Sequence, residues 1–256
     1  MCAHLALIGG EEFSDGFEDV HAGLLADLGG RRRVVYLPTC AADDGGEAID
    51  YWCTTARDRL SALGASVDTP RIVDAASAND VRHAQLIAEA DWIYLGGGYP
   101  HVAMRILANT RSLDALSEAV ARGALIAGAS AGAMMMGARS WVITPELVAA
   151  IGRMWETGAP VPDLSLPPPL DCLGMIPRSM CWPHFNRVFS MKWLERGLLP
   201  TGFTLIGIDE QTALVSTDGV TDGQAARWEV RGRGSVTIIR SDLRAARHVA
   251  GDKLLL

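Results

Sequence analysis

The stretch that most restricts what this chain can become runs from Gly123 to Gly137, GALIAGASAGAMMMG. Residues 124–127 (Ala-Leu-Ile-Ala) are apolar, brief and closed by glycine, which predicts a buried strand. Gly128-Ala129-Ser130-Ala131-Gly132 has the G-x-S-x-G form of a nucleophile elbow, and Ala133 to Met136 continue as helix formers. A strand that turns sharply into a helix forces the serine at the corner into a strained backbone conformation. A glycine two positions to either side lets the two elements approach. Ser130 then stands at a helix N-terminus, where partial positive charge favours a developing anion, and the Ala131 N–H is placed to serve as an oxyanion donor. The same residues also suit a serine N-cap in a glycine-rich packing turn. In a chain with 27 glycines the pattern decides nothing by itself; its surroundings have to.

Those surroundings alternate. His4–Ile8 reads as a strand ending in Gly9-Gly10, followed by a helix from Phe17 to Leu28 with Phe17, Val20, Leu24, Leu25 and Leu28 at helical spacing. Val34–Leu37 is the next strand, Ala48–Leu63 a longer helix, and Ser66–Val73 a strand broken by Pro70. Asn79 is expected to cap a helix to Ala90, and Trp92–Leu95 is a further strand. Strand and helix alternating in this way predict an α/β fold: a doubly wound, mostly parallel sheet with helices on both faces. In such folds the active crevice lies at the carboxyl ends of the strands. Gly9-Gly10, Gly96-Gly97-Gly98 and the Ser130 turn all fall there.

The remaining chain reads less regularly. Trp141–Thr144 suits a strand or a loop. Residues 145–170, with Pro145, Pro160, Pro162 and Pro167 to Pro169, are expected to form an irregular surface excursion or lid within a single domain spanning 1–256. Trp155 and Trp182 are candidates to border a pocket. Leu205–Glu210 reads as an apolar strand ending in two carboxylates, and Thr212–Ser216, Ala225–Val230 and Ser235–Arg240 as short strands of a C-terminal antiparallel extension.

Composition removes several classes of function. An apolar content of 49% in 256 residues is ample for a large core, so overall disorder is excluded. A net charge of −7 without basic blocks argues against a nucleic-acid surface. The single basic run, Arg31 to Arg33, reads as a solvated turn. The five cysteines are odd in number and lack C-x-x-C spacing, as expected of reduced thiols and not of a disulfide frame or a zinc site. The opening MCAHLALIGG lacks a basic n-region, and no segment has the length of a membrane span, so a cytoplasmic protein is expected. No motif calls for a metal or an organic cofactor.

Three further features carry chemistry. Gly96-Gly97-Gly98-Tyr99-Pro100 precedes a helix and suits either a flexible loop or backbone that offers N–H groups to an oxyanion. Trp182-Pro183-His184-Phe185-Asn186-Arg187 holds a histidine after a chain-fixing proline. Asp209 and Glu210 close an apolar run, and spacing does not choose between them.

Taken together, Gly97-Gly98 before a helix, GASAG, Pro183-His184-Phe185 and GIDEQTA at 207–213 resemble peptidase family S51. This is the serine peptidase family of aspartyl dipeptidase (peptidase E) and cyanophycinase, with a fold like the class I glutamine amidotransferases. The resemblance spans most of the chain, and GIDE followed by Thr-Ala is closer to cyanophycinase. It implies a triad of Ser130, His184 and Glu210, with Gly97 or Gly98 and Ala131 as oxyanion donors. The order Ser, His, Glu differs from that of an α/β-hydrolase, where the acid precedes the histidine. Tyr99 stands where family members often carry Asn or Asp. Pro183 stands where cyanophycinase has Gln, as in the dipeptidase. Arg187 is a candidate to pair a substrate carboxylate.

The implied function is hydrolysis of a small peptide or isopeptide through an acyl-enzyme, without nucleic acid, membrane or cofactor, with a homodimer expected by family analogy. A glutaminase-type amidotransferase would want cysteine at position 130. A non-catalytic ligand-binding relative is the other alternative, and retention of all three residues argues against it.

Overall fold

The alternating strands assemble as their apolar pattern predicts. In a computed structural model that describes residues 4–157, 167–189, 191–195, 197, 199–218 and 226–256, the first half of the chain reads β1 (His4–Ile8), α1 (Glu18–Asp27), β2 (Arg33–Leu37), α2 (Gly46–Ala62), β3 (Ser66–Asp68), α3 (Ala75–Ala78), α4 (Val81–Glu89), β4 (Trp92–Leu95), α5 (Pro100–Leu107), α6 (Arg111–Arg122), β5 (Leu125–Ala129) and α7 (Ala131–Met136). The five strands lie parallel in the order β1-β5-β4-β2-β3. Alternate residues face opposite sides. Ala6, Ile8, Val34, Tyr36, Trp92 and Tyr94 pack under α1 and α2, against Phe17, Leu24, Ile49 and Leu60. Leu5, Leu7, Val35, Leu37, Ile93 and Ile126 face α4 to α7, against Ile87, Ile106, Leu116 and Met136. A slip of one residue would swap these sets, so two buried faces fix the register.

Several boundaries differ from expectation, each for a local reason. The helix at 81–89 is capped by Asp80, whose carboxylate accepts from the Arg82 and His83 N–H groups; Asn79 is instead the C-cap of α3. An aspartate one residue closer to the helix took the role its chemistry equally allows. The strand from Ser66 ends at Asp68, before Pro70 removes a donor. The strand before Ser130 runs to Ala129, and α6 is a helix that the periodicity argument does not place.

Beyond α7 come β6 (Arg139–Ser140), α8 (Pro145–Thr157), β7 (Leu170–Asp171), β8 (Ser179–Trp182), α9 (Phe185–Val188), α10 (Met191–Glu195), β9 (Thr204–Ile208), β10 (Thr212–Ser216), β11 (Arg227–Gly232), β12 (Ser235–Arg240), β13 (Ala245–Val249) and β14 (Lys253–Leu255). The excursion expected to be irregular over 145–170 is helical up to Thr157. Thr144 Oγ1 accepts from the Leu147 N–H at 3.2 Å, and Pro145 occupies the first helical position, where its missing N–H costs nothing. Proline here starts a helix and does not break one. Residues 158–166 of the expected lid, Ala225 at the start of an expected strand and the Trp155 side chain lie outside the described residues. Trp141–Thr144 has no regular structure.

The larger correction concerns where the chain goes after the Ser130 turn. Strands β10 and β11 extend the main sheet antiparallel beyond β1, as expected for the tail, and β14, which no sequence pattern placed, follows them. The third expected tail strand, Ser235–Arg240, lies in a different sheet. Strand β9, however, does not return to that sheet. It joins a separate four-stranded sheet of order β13-β12-β9-β8, with β8 and β9 parallel. One face of this second sheet, with Cys181, Ile206, Ile208, Val236 and Ile238, merges into the core on the main sheet. The other, with Met180, Trp182, Leu205 and Ile239, buries Trp141, Met134, Val188 and Leu194. The second sheet thereby brings the carboxyl ends of β8 and β9 against those of β1 and β5.

Candidate active site

The corner after β5 has the geometry the glycine pattern implies. Ser130 sits at φ 52°, ψ −117°, a conformation that side chains rarely adopt, and such strain typically costs about 1–3 kcal/mol. The surrounding structure holds it there. The Ser130 N–H donates to the Ile8 carbonyl at 3.0 Å, and its own carbonyl receives the Met134 N–H at 3.1 Å. The flanking glycines have no room for a side chain: a Cβ on Gly128 would lie 2.7 Å from the Ala133 nitrogen, and one on Gly132 2.7 Å from the Leu95 carbonyl carbon.

The second sheet supplies the partners. His184 follows β8 in a left-handed conformation, φ 50°, ψ 34°, and its N–H donates to the Gly9 carbonyl at 2.7 Å. Its Nε2 lies 3.2 Å from Ser130 Oγ and its Nδ1 2.8 Å from Glu210 Oε1. A carboxylate only accepts, so Nδ1 carries the ring proton and Nε2 is left to accept from the serine hydroxyl. Gly10 makes room for the ring: a Cβ there would stand 2.7 Å from His184 Nε2. The imidazole side of this pair is 20% exposed and the carboxylate 8%, so the histidine can be reached from the cleft while the acid is buried.

Glu210 is held from three sides by one short turn. Besides His184, the Asn186 Oδ1 accepts from the Glu210 N–H at 3.0 Å, and Arg187 Nε pairs with Oε2 at 2.7 Å. Arg187, a candidate for a substrate carboxylate on sequence grounds, is thus engaged with the acid. Asn186 had no signal in the sequence beyond lying two residues past the histidine. Asp209, the other carboxylate of the pair, turns away. Its Oδ2 accepts from the Ser235 N–H at 2.9 Å and the Ser235 hydroxyl at 2.6 Å.

The remaining expected residues line the cleft. A Cβ on Gly97 would stand 3.4 Å from Ser130 Cβ, so this loop runs beside the serine. Gly98, at φ 126°, lies against the Cys40–Ala41 backbone. Ala131 is the first residue of α7, where an N–H has no intrahelical acceptor. Tyr99 precedes α5, its N–H donates to the Cys40 carbonyl at 2.8 Å, and burial beside Asp44 and Asp43 pushes its phenol up.

Two cavities meet at Ser130, His184 and Gly98. One, of about 320 Å³, is walled by Met134, Trp141, Ile143, Leu147, Ile151 and Trp182. The other, of about 640 Å³, is polar and includes Glu11, Glu12, Asp44, Asp58 and Arg59. Burial pushes the Glu12 carboxyl up to about 7. Cys40 and Cys181 are buried, with thiols pushed up by desolvation, which leaves them poor nucleophiles. Among the described residues no group of three or more His, Cys, Asp or Glu could hold a metal ion, and no helix is long and apolar enough to cross a membrane.

A strained serine at the carboxyl edge of a doubly wound sheet, beside a histidine and at the junction of two cavities, is the frame of a serine hydrolase. The model of peptidase family S51 matches residues 5–222, and the chain belongs to that family, a family of serine peptidases. Among solved structures, it is similar to a peptidase from an acI-B1 Actinobacterium, with 26% identity and a TM-score of 0.78 over 100% of this chain and 98% of that one. It also shares its fold with a candidate peptidase E from Listeria monocytogenes EGD-e, at 17% identity and a TM-score of 0.57 over 91% of this chain and 99% of that one. None of the curated proteins matches it.

Proposed function

We propose that Ser130, His184 and Glu210 are the catalytic triad of this peptidase and that it cleaves a short peptide or isopeptide through an acyl-enzyme. The observation that carries the reading is the unbroken relay from Oγ to Nε2 at 3.2 Å and from Nδ1 to Oε1 at 2.8 Å, set on a serine whose backbone is strained outward from the strand.

Ser130 Oγ attacks the scissile carbonyl as His184 Nε2 takes its proton. The imidazolium that forms is stabilised by Glu210, which also keeps the ring in the tautomer that leaves Nε2 open. Backbone N–H groups of Ala131 and of Gly97 or Gly98 receive the oxyanion, and α7 points its positive end at the same place. His184 then delivers the proton to the leaving amine, and a water repeats the sequence to release the acid. Arg187 and Asn186 fix Glu210 and so act through it, not on substrate.

Mass-spectrometric mapping of a fluorophosphonate adduct tests the reading. Labelling is expected on Ser130, and it should be slowed at least ~100-fold in His184→Ala, in line with the usual contribution of a general base. Labelling elsewhere, or labelling indifferent to His184, would overturn the triad.

A further inference from the structure

The apolar cavity beside Ser130 has no role in the relay, yet it opens directly onto it. Its walls come from four separate elements. Met134 belongs to α7, Leu147 and Ile151 to α8, Trp182 to β8 and Val188 to α9, with Trp141 closing it. At about 320 Å³ it lies at the small end of the range for ligand cavities. That is room for an aromatic or branched aliphatic side chain.

Its electrostatics are one-sided. The ionisable residues among its described lining are Asp44, Tyr99 and His184, with no lysine or arginine among them. An acidic side chain entering it would lose its water without gaining a cation and would meet the Asp44 carboxylate on the way. The polar cavity across the serine offers no refuge, since among its described lining Glu11, Glu12, Asp44 and Asp58 face one arginine, Arg59. Arg187, three residues past the histidine, is bound to Glu210.

We infer that the apolar cavity is the side-chain subsite of this peptidase, so that it cleaves peptides carrying a large apolar residue next to the scissile bond and discriminates against aspartate there. This rests on Ser130 being the nucleophile, and the test separates the two claims. Short peptides with Phe, Leu or Asp at each position flanking the bond are compared by kcat/KM. In parallel, N-acetyl-phenylalaninamide and N-acetyl-aspartic acid amide are compared for slowing the fluorophosphonate labelling of Ser130.

The expected result is a preference of at least ~10-fold for Phe or Leu over Asp, within what an apolar pocket can deliver, and protection by the phenylalanine amide alone. Ile151→Arg, which puts a cation into the wall, should cut that preference at least ~10-fold while Ser130 still labels, showing that the variant is folded. Asp-flanked peptides cleaved as well as the apolar ones, or a phenylalanine amide that protects no better than the aspartic acid amide, would overturn the subsite. Failure of Ser130 to label in the parent protein would overturn the nucleophile, and the subsite with it.

Discussion

The two sheets contribute to the site in different ways. The eight-stranded sheet supplies the serine within one continuous stretch, where strand, corner and helix are neighbours in sequence and two glycines close the turn. The four-stranded sheet supplies the histidine and the glutamate from two strands, 26 residues apart. Their meeting depends on parallel pairing of β8 with β9, in which Trp182 faces Gly207. The proposed nucleophile is therefore a local device and the proposed relay behind it a tertiary one. Damage at the corner should abolish chemistry outright, whereas damage in the second sheet should grade with how far it displaces His184 or Glu210.

The largest expected effect is at the corner. Ser130→Ala should lower kcat/KM by about 10⁶-fold, leaving what the oxyanion donors and binding alone provide, as read from steady-state rates on any cleaved peptide. Next comes the contrast within the second sheet. Glu210→Gln removes the charge and permits the wrong tautomer, a change that costs ~10⁴-fold in kcat in the corresponding position of a well-studied triad. Asp209→Asn should leave kcat within a few-fold but lower the melting temperature, because Asp209 ties β9 to β12 through Ser235. Equal kinetic losses in the two variants would break the assignment of the acid.

Smaller again is Gly10→Ala. Its Cβ would intrude on the His184 ring, and a displacement of about 1 Å at a reacting group can cost ~100-fold. A kcat fall is expected together with a lowered melting temperature, because Gly10 sits at φ 120°, a conformation that a side chain strains. Arg187→Met should be milder, since the arginine is 53% exposed and paired with a single carboxylate oxygen. A fall in kcat would fit its place behind Glu210, whereas a rise in KM alone would return it to the substrate.

The smallest effect concerns stability and pH. Glu12, buried, has its carboxyl raised from 4.5 to about 7, so the folded state holds this proton more tightly than the unfolded chain. Its contribution is complete below pH 4.5 and is lost as pH rises through about 7. His21, buried against Tyr94, is pushed down from 6.5 to about 3, so it penalises the fold progressively as pH falls below 6.5. The two slopes oppose each other between them. Glu12→Gln should therefore remove the loss on the alkaline side and leave the acid-side loss, a change visible in denaturant titrations at pH 5 and pH 8.

Much of this was legible in advance. The parallel sheet, the position of the elbow and the tail strands follow from apolar runs closed by glycine, because burial on two faces leaves a strand few other readings. The reading failed where one residue type serves two purposes. Pro145 starts a helix, although proline-rich composition read as irregular, and Asp80 displaced Asn79 as a cap because both side chains can accept from the same N–H groups.

By itself the sequence determined the elbow, since only small residues at 128 and 132 permit that corner, and it nominated His184 and a carboxylate at 209–210. The tertiary structure decided which carboxylate meets the histidine. Adjacent residues leaving a strand point to opposite sides, and only the pairing of β9 between β8 and β12 sets Glu210 against His184 and Asp209 against Ser235. It also decided that Arg187 meets Glu210, and that α8, β8 and the corner helix enclose an apolar cavity beside the serine. Those contacts join residues far apart in the chain, and no local pattern records which distant surfaces will meet.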